Sequence, residues 1–150
     1  KIDIYGKGWP NGLSKEDSRR GEWGNRKSII LQDYNFNLCF ENTVYPNYIT
    51  EKIWDSVGNY CLPIYYGGVK NTIYEIFPKD SFIDYSCFES PKALFQFIDL
   101  MSNSEFIVRL NKCITVYNKF VDFPISYWKD EKKIMLDNIT KKVNQIIRLN

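Results

Sequence analysis

The chain has 150 residues, a net charge of +2 and a hydrophobic fraction of 44%. This length allows one hydrophobic core and is too short for two full Rossmann-like domains. The small net charge, spread over interspersed acidic and basic residues, excludes the broad basic face of a nucleic-acid-binding protein. The chain contains no histidine. A general base must therefore be a carboxylate or come from outside this chain.

The four cysteines are widely spaced and form no Cys-x-x-Cys pair. Because no histidine is present to complete a zinc motif, we predict reduced structural thiols, no metal site and no required cofactor. The N-terminus lacks the apolar core of a signal peptide, and no segment approaches the ~20 apolar residues that cross a bilayer. The cysteines are Cys39, Cys61, Cys87 and Cys113.

The N-terminal part predicts a strand, a polar loop and a helix. Residues 2–5 alternate in polarity and end at Gly6-Lys7-Gly8, a pattern that is typical of a strand entering a loop. Residues 9–25 are polar and turn-prone, which predicts an exposed loop. A helix is expected over residues 27–34.

The next part predicts a strand followed by a helix. Phe36–Phe40 is largely apolar and is flanked by turn-forming residues, so we expect a strand that ends at Glu41-Asn42. Thr50 is a good helix N-cap, and apolar residues from Ile53 onward recur on one helical face as far as Gly58-Asn59. Ligands of open α/β sheets bind at such strand-to-helix junctions, outside the carboxyl ends of the strands.

Polar residues at this junction are candidates for binding a nucleoside diphosphate. Lys52 lies in the first helical turn, where the helix dipole disfavours a cation by a few tenths of a kcal/mol, and a pyrophosphate would compensate it. Glu51 is suited to accept two hydrogen bonds from a ribose diol. Asn42 and Tyr48 add an amide and a phenol at the same edge. The spacing alone also fits solvated surface charges at Glu51 and Lys52 and a loop anchor at Tyr48.

Residues 60–68 form an apolar run that ends in glycines. Such runs are typical of parallel strands buried on both faces. The end of this strand should lie beside the end of the first strand, where Tyr66 would line a pocket and Gly67 would let a ligand approach the backbone. A plain turn at the end of the strand is the alternative.

The C-terminal half predicts alternating elements and then helices. The expected elements are a helix at residues 73–77, a strand at 81–85, helices at 90–101 and 104–120, and a basic amphipathic helix from residue 129. Strands that alternate with helices predict an α/β fold with a parallel sheet. For the last helix, packing on its own domain is favoured over contact with a membrane surface, and a return to another domain is a third alternative.

Three sequence runs carry a resemblance to a known family. They are YNFNLCFENT from Tyr34, YITEKIW from Tyr48 and LPIYYG from Leu62. Together they closely resemble the signature of the α-1,3-fucosyltransferase family, and the similarity covers about residues 1–123. The resemblance implies one half of a GT-B enzyme, a scaffold of two Rossmann-like domains that transfers fucose from GDP-fucose with inversion. It implies a GDP-sugar-binding domain at residues 1–123, N-terminally incomplete, and a helical extension at 124–150.

The resemblance also implies roles for single residues. Glu51 would hold the ribose of GDP, Lys52 the phosphates, and Asn42 and Tyr48 the pyrophosphate and fucose side of the donor. In the family, the catalytic base is a carboxylate from an N-terminal acceptor-binding domain, and an upstream arginine also contacts the phosphates. Both lie outside this chain, so no catalytic residue is assigned here.

We therefore expect the donor-binding part of an inverting glycosyltransferase that acts on a saccharide acceptor through an α-1,3 or α-1,4 linkage. The alternatives are a GDP-sugar-binding module without activity of its own, or an unrelated Rossmann-type nucleotide-binding domain. The expected partners are GDP-fucose, the acceptor, an N-terminal acceptor-binding domain and, peripherally, a membrane, but no nucleic acid. A cytoplasmic or inner-membrane location in a bacterium is favoured over the Golgi lumen of a eukaryote. Replacing Lys52 or Glu51 by alanine is expected to weaken GDP binding without lowering the melting temperature.

Overall fold

A computed structural model describes residues 2–16, 23–68 and 71–148, apart from the side chains of residues 23 and 24. Its elements, in chain order, are α1 (Trp23–Leu31), β1 (Phe36–Phe40), α2 (Glu51–Gly58), β2 (Leu62–Tyr66), α3 (Ile73–Ile76), β3 (Ile83–Asp84), a 3-10 helix (Tyr85–Cys87), α4 (Pro91–Leu100), α5 (Asn103–Val121) and α6 (Ile125–Arg148). The chain divides into two compact units, residues 1–117 and 118–150. The functional division at residue 123 stays a prediction.

The strands form a parallel sheet in the order β1-β2-β3. Phe40 pairs with Tyr66 across β1 and β2, and Tyr65 pairs with Asp84 across β2 and β3. The carboxyl ends of all three strands therefore lie along one edge of the sheet, where the sequence places its polar candidates. The predicted α/β fold with a parallel sheet flanked by helices is confirmed.

Both faces of the sheet are covered, as expected for parallel strands. Because successive side chains of a strand point to opposite faces, Tyr65 and Ile64 of β2 enter different hydrophobic clusters. One cluster joins the sheet to α2 and α3 and contains Cys39, Ile53, Val57, Tyr65, Ile73, Phe77, Phe82 and Cys113. The other joins it to α4 and contains Leu62, Ile64, Ile83, Leu94 and Leu110.

The central strand contains a proline, which sheets usually confine to their edges. The amide of Leu62 donates to Asn35 on the β1 side, so the amide position of Pro63 faces the β3 side. The ladder with β3 begins only at Ile64. Pro63 therefore precedes the first residue of β2 that pairs with β3, and its missing amide hydrogen removes no hydrogen bond from that ladder.

Three thiols serve as buried hydrogen-bond donors. The sulfur of Cys39 donates to the carbonyl of Lys52 at 3.4 Å and ties β1 to α2. Cys61 donates to the carbonyl of Leu31 at 3.0 Å, and Cys113 to that of Ser81 at 3.1 Å. Cys87 is exposed, and all four cysteines are free thiols.

The predicted strand at residues 2–5 is wrong. The segment makes a single isolated bridge, from Ile4 to Ser14. Side chains anchor the segment in place of a ladder, since the Tyr34 hydroxyl donates to Asp3 at 2.7 Å and lies 2.8 Å from the Tyr5 hydroxyl. The helix expected at residues 27–34 begins earlier, at Trp23, and the third strand is shorter than predicted.

The last helix, α6, has 24 residues and carries both apolar and basic side chains. Ile139, Val143 and Ile146 are exposed, as are the lysines of this helix. Among the described residues, no helix is both long enough and apolar enough to span a membrane.

Candidate functional site

A buried carboxylate lies where β1 ends and α2 begins. Glu41 follows the last residue of β1, and its side chain is 0% exposed. One carboxylate oxygen accepts the backbone amide of Thr50 at 2.8 Å and the hydroxyl of Tyr65 at 3.3 Å. The other accepts the Thr50 hydroxyl at 2.6 Å. Glu41 thus joins β1, β2 and the start of α2.

The ammonium group of Lys52 completes this cluster. It lies 3.2 Å from the second Glu41 oxygen and 3.2 Å from the Thr50 hydroxyl oxygen. The Lys52 side chain is 23% exposed, so the ammonium group borders solvent while its carboxylate partner is buried. The cation that local helix rules disfavour is therefore compensated by a carboxylate of the chain itself. This differs from the prediction that a ligand provides the compensation.

The cluster keeps Glu41 ionised. Burial raises the pKa of Glu41, but the hydrogen bonds from the Thr50 hydroxyl and amide and from the Lys52 ammonium group outweigh burial, and the pKa lies below its usual value. Burial and the neighbouring carboxylate raise the pKa of Tyr65, so its hydroxyl stays protonated and can donate. The cluster is therefore a charged pair held by neutral donors.

Thr50 precedes α2 as predicted, but its side chain does not cap the helix. Its hydroxyl donates to Glu41 instead, and its own amide donates to the same carboxylate. Glu41, nine residues before Thr50 in sequence, thus adds a negative charge at the positive end of α2, whose first turn also contains Glu51. The Thr50 hydroxyl oxygen therefore accepts no hydrogen bond from the backbone amides of the first turn of α2.

A cleft of about 500 Å³ opens at the carboxyl ends of β2 and β3. Tyr65, Gly67 and Asn71 line one part of it, and Tyr74 and Asp84 another. The Tyr74 hydroxyl donates to Asp84 at 2.7 Å. Because Tyr65 also donates to Glu41, the cleft and the charged cluster share a side chain.

Gly67 is surrounded by polar side chains. A Cβ atom at this position would overlap the side-chain nitrogen of Asn71 and lie 2.7 Å from the Tyr65 hydroxyl. The absence of a side chain therefore makes room for groups of the protein itself. This gives a structural reason for the glycine that is separate from the predicted approach of a ligand.

Asn71 connects the loop before α2 to the cleft. Its side-chain nitrogen donates to the carbonyls of Tyr48 at 3.2 Å and Gly67 at 3.4 Å, and its side-chain oxygen accepts the amide of Ile73 at 2.9 Å. Tyr48 is thus tied to the site through its backbone, while its side chain is exposed. This contact fits the anchoring role that the sequence left open for Tyr48.

The remaining predicted residues lie around the cluster. Glu51 begins α2 and is exposed, as is Asn42 in the loop after β1. Tyr66 points to the other face of the sheet, where its ring packs 5.8 Å from those of Phe40 and Tyr85. The structure therefore brings Lys52, Gly67 and the backbone of Tyr48 together, but not Tyr66.

A metal site has no support from the described residues, which contain no group of three or more Cys, Asp or Glu side chains placed to bind an ion. The cation that the cluster offers to an anionic ligand is Lys52, at the strand-to-helix junction.

Residues 1–121 match the sequence profile of glycosyltransferase family 10 (fucosyltransferase), C-terminal part. The chain belongs to this fucosyltransferase family. The resemblance drawn from the three sequence runs is confirmed, and the family match includes the Glu41–Lys52 cluster and the cleft.

Curated members of the fucosyltransferase family align with the same region. The chain is 34% identical over 102 residues to the 4-galactosyl-N-acetylglucosaminide 3-alpha-L-fucosyltransferase FUT6 of Pongo pygmaeus, covering 65% of this chain and 25% of that protein. It is 32% identical over 102 residues to the 3-galactosyl-N-acetylglucosaminide 4-alpha-L-fucosyltransferase FUT3 of Homo sapiens, with the same coverage. The chain thus spans about a quarter of the length of these relatives. Since they are primate proteins, the preference for a bacterial, cytoplasmic protein is not confirmed.

A solved fucosyltransferase has a similar fold. The chain superposes on the structure titled "Crystal Structure of alpha1,3-Fucosyltransferase" with a TM-score of 0.52 and 25% sequence identity. The match covers 73% of this chain and 37% of that one. The fold of this family member therefore corresponds to a part of a larger glycosyltransferase.

The sequence pattern does not single out Glu41, Tyr65 or Asn71 as site residues, and it predicts only helix capping for Thr50. One signal for Glu41 was present, because a carboxylate directly after a buried strand lies at the edge where Lys52 was placed. The alternation of side chains along β2 could also have separated Tyr65 from Tyr66. The pairing of Glu41 with Lys52 itself depends on the path of the loop between them, which the sequence pattern does not specify.

Proposed function

We propose that this chain is the donor-binding part of an inverting fucosyltransferase, which transfers fucose from GDP-fucose to a saccharide acceptor. The family match over residues 1–121 carries the proposal. The names of the relatives support an α-1,3 or α-1,4 linkage. The site at the carboxyl edge of the sheet supports the assignment independently, because nucleotides bind at this edge in open α/β folds.

Lys52 is the proposed phosphate ligand. Its ammonium group lies at the N-terminal end of α2, where backbone amides and the helix dipole also favour an anion. The pair with Glu41 holds it there, and 23% of its side chain reaches solvent. A pyrophosphate at this position would accept hydrogen bonds from the ammonium group and the first turn of α2.

Glu51 is the proposed ribose ligand, and Asn42 and Tyr48 are proposed to face the pyrophosphate and fucose. All three side chains are exposed: Glu51 directly precedes Lys52 in α2, Asn42 follows Glu41, and Tyr48 lies in the loop before α2. A carboxylate can accept two hydrogen bonds from the vicinal hydroxyls of a ribose. Gly67 and Tyr66 stay predicted neighbours of the donor, and Gly67 is the one that lines the cleft.

The proposed reaction needs no metal and no cofactor from this chain. An acceptor hydroxyl oxygen attacks the anomeric carbon of fucose as the bond from that carbon to the GDP oxygen breaks, and the configuration inverts. Negative charge grows on the departing pyrophosphate, where Lys52 and the α2 amides would stabilise it. The proton of the acceptor passes to a carboxylate of the N-terminal acceptor-binding domain that the family resemblance implies.

Peripheral membrane contact is a further part of the proposal. The α6 helix exposes apolar side chains together with six basic residues, a composition that favours the interface of an anionic membrane. It would lie on the surface, not across it. The cellular location itself stays a prediction.

Nucleotide titration tests the donor assignment. About three charge-assisted contacts at roughly 1.5–3 kcal/mol each, less an association cost of several kcal/mol, predict a Kd for GDP between high micromolar and millimolar. The chain is titrated with GDP, UDP and FMN by NMR. Preference for GDP is expected, whereas preference for UDP or FMN would contradict the proposal.

Alanine variants locate the ligand within the site. Lys52→Ala and Glu51→Ala are expected to weaken GDP binding, and Lys92→Ala is the matched control because Lys92 is also the second residue of a helix.

The structure revises the expected stability of one variant. Lys52→Ala leaves Glu41 without its cation and should cost roughly 1–3 kcal/mol, whereas Glu51→Ala should leave the melting temperature close to wild type. Binding is therefore compared at a temperature where NMR shows each variant folded.

A further inference from the structure

Glu41 is a buried charge for which the proposed reaction has no direct use. Its two oxygens have four donors: the amide and hydroxyl of Thr50, the Tyr65 hydroxyl and the Lys52 ammonium group. A buried carboxylate is expensive unless it is paired and hydrogen-bonded, and here both conditions are met. Its position at the end of β1 places it behind Lys52, on the protein side of the candidate phosphate site.

The hydrogen bonds around Lys52 fix the orientation of its ammonium group. An ammonium group has three protons. One is directed at Glu41 and a second at the Thr50 hydroxyl oxygen, both at 3.2 Å. The Thr50 hydroxyl gives its own proton to Glu41 and so keeps its oxygen free to accept from Lys52. In the part of the chain that the structure describes, these are the two acceptors of the ammonium group, and one proton is left for a further acceptor.

We propose that Glu41 is a positioning residue for donor binding, which together with Thr50 holds two protons of the Lys52 ammonium group and leaves the third for an oxygen of the donor diphosphate. This inference rests on the proposed function and names the residue that prepares its phosphate ligand. Glu41 does not touch the donor. It acts by fixing a flexible side chain before the donor arrives, which reduces the ordering cost of binding.

The same carboxylate limits what Lys52 can bind. Because Glu41 neutralises the ammonium group, the pair has no net charge, and a general attraction for anions is weak. A ligand is then selected by the third ammonium proton of Lys52 and by the backbone amides of α2. The site should therefore bind a diphosphate, which can contact both groups, more tightly than a simple anion of the same charge.

The first test concerns Lys52 without any ligand. NMR spectra of the side-chain ammonium groups report whether their protons are held or exchange rapidly with water. In the wild-type chain, Lys52 is expected to give a slowly exchanging ammonium signal that Lys92 does not give. Glu41→Gln should weaken or remove that signal, because a neutral amide holds an ammonium proton less strongly than a carboxylate does, whichever way the amide turns. An unchanged signal in the variant would overturn the positioning role.

The second test is a double-mutant cycle on GDP binding with Glu41→Gln, Lys52→Met and the double variant. Glu41→Gln is expected to raise the Kd for GDP by about tenfold in the wild-type background, and by less than about twofold when Lys52 is already methionine. A purely structural role would change stability but leave the Kd of the folded variant unaltered. Lys92→Met is the control for removing a lysine from a first helical turn.

Thr50 provides a second route if Glu41→Gln does not fold. Thr50→Val removes the hydroxyl that links Glu41 to Lys52, and Thr50→Ser keeps it. Weaker GDP binding in Thr50→Val with recovery in Thr50→Ser is expected, and equal Kd values for the two variants would contradict the proposal. Wild-type protein that binds no GDP would contradict the proposed function, whereas normal GDP binding by folded Glu41→Gln would contradict only the role of Glu41.

Discussion

A lysine at the start of a helix opposes the helix dipole, and the buried carboxylate of Glu41 offsets this cost. Glu41 lies close to the Lys52 ammonium group and accepts the Thr50 amide, so it offsets both the side-chain charge and the positive end of α2. Removing either partner of a buried pair leaves the other charge uncompensated. We therefore expect the two residues to be coupled in stability as well as in ligand binding.

Acid should weaken the fold through Glu41. In the unfolded chain this carboxyl titrates near its ordinary pKa of about 4.3, while in the folded chain its pKa is lower. Its contribution is therefore complete above the unfolded pKa and is lost as the pH falls through the folded pKa. Urea unfolding between about pH 3 and pH 7 should show stability falling below about pH 4.5 in wild type, with a shallower fall in Glu41→Gln.

The exposed glutamate of α3 gives a matched control for this titration. Glu75→Gln removes the same charge from the protein without touching the cluster, since Glu75 is exposed. The free energy of unfolding of this variant should fall with pH as it does in wild type. If the fall were equally shallow in Glu75→Gln and Glu41→Gln, general charge repulsion, and not the Glu41 pair, would set the acid sensitivity.

At the scale of elements, the sequence predicts what is encoded locally. The bounds of β1 are as predicted, because Phe36–Phe40 is apolar and is flanked by turn residues. Helix α4 begins after Ser90 as predicted, and the serine hydroxyl accepts the amide of Ala93 at 3.2 Å. Both predictions depend only on residues that are close to one another in sequence.

Contacts between distant residues account for what the sequence did not predict. Residues 2–5 have strand-like alternation, yet Asp3 and Tyr5 bond to Tyr34 and no ladder forms. Thr50 has the right residue type for a cap, but a buried carboxylate competes for its hydroxyl. Local pattern specifies an element, whereas the partner of a polar side chain depends on which loops meet at the edge of the sheet.

The α6 helix should bind anionic membranes. Vesicles of phosphatidylcholine with and without phosphatidylglycerol are sedimented with the protein, and binding is expected only with the anionic lipid. Ile139→Glu places a charge among the exposed apolar side chains and should reduce binding by about tenfold or more, since burying an isoleucine contributes roughly 1.5–3 kcal/mol. Asn144→Glu adds the same charge on the opposite side of the helix and should have a smaller effect. Equal loss in both variants would indicate charge repulsion alone.

At the scale of the whole molecule, the chain corresponds to a part of its relatives. It spans about a quarter of the FUT6 and FUT3 proteins and 37% of the solved fucosyltransferase chain. We expect these 150 residues to bind GDP-fucose without transferring fucose to N-acetyllactosamine, because the proposed base belongs to another domain. A radiolabel transfer assay, with an active fucosyltransferase as the positive control, checks this expectation. Transfer by the chain alone would mean that one of its own carboxylates is the base.

The thiols of the chain differ in a way that is useful for experiments. Burial raises the pKa of Cys39 to about 12 and of Cys61 and Cys113 to about 11, so at neutral pH these sulfurs are almost entirely protonated and unreactive. Cys87 is exposed and lines the cleft at the end of β3. A maleimide fluorophore should therefore attach at one place in the native chain, on the rim of the cleft, without any engineered mutation. Its emission could then report nucleotide arrival in real time.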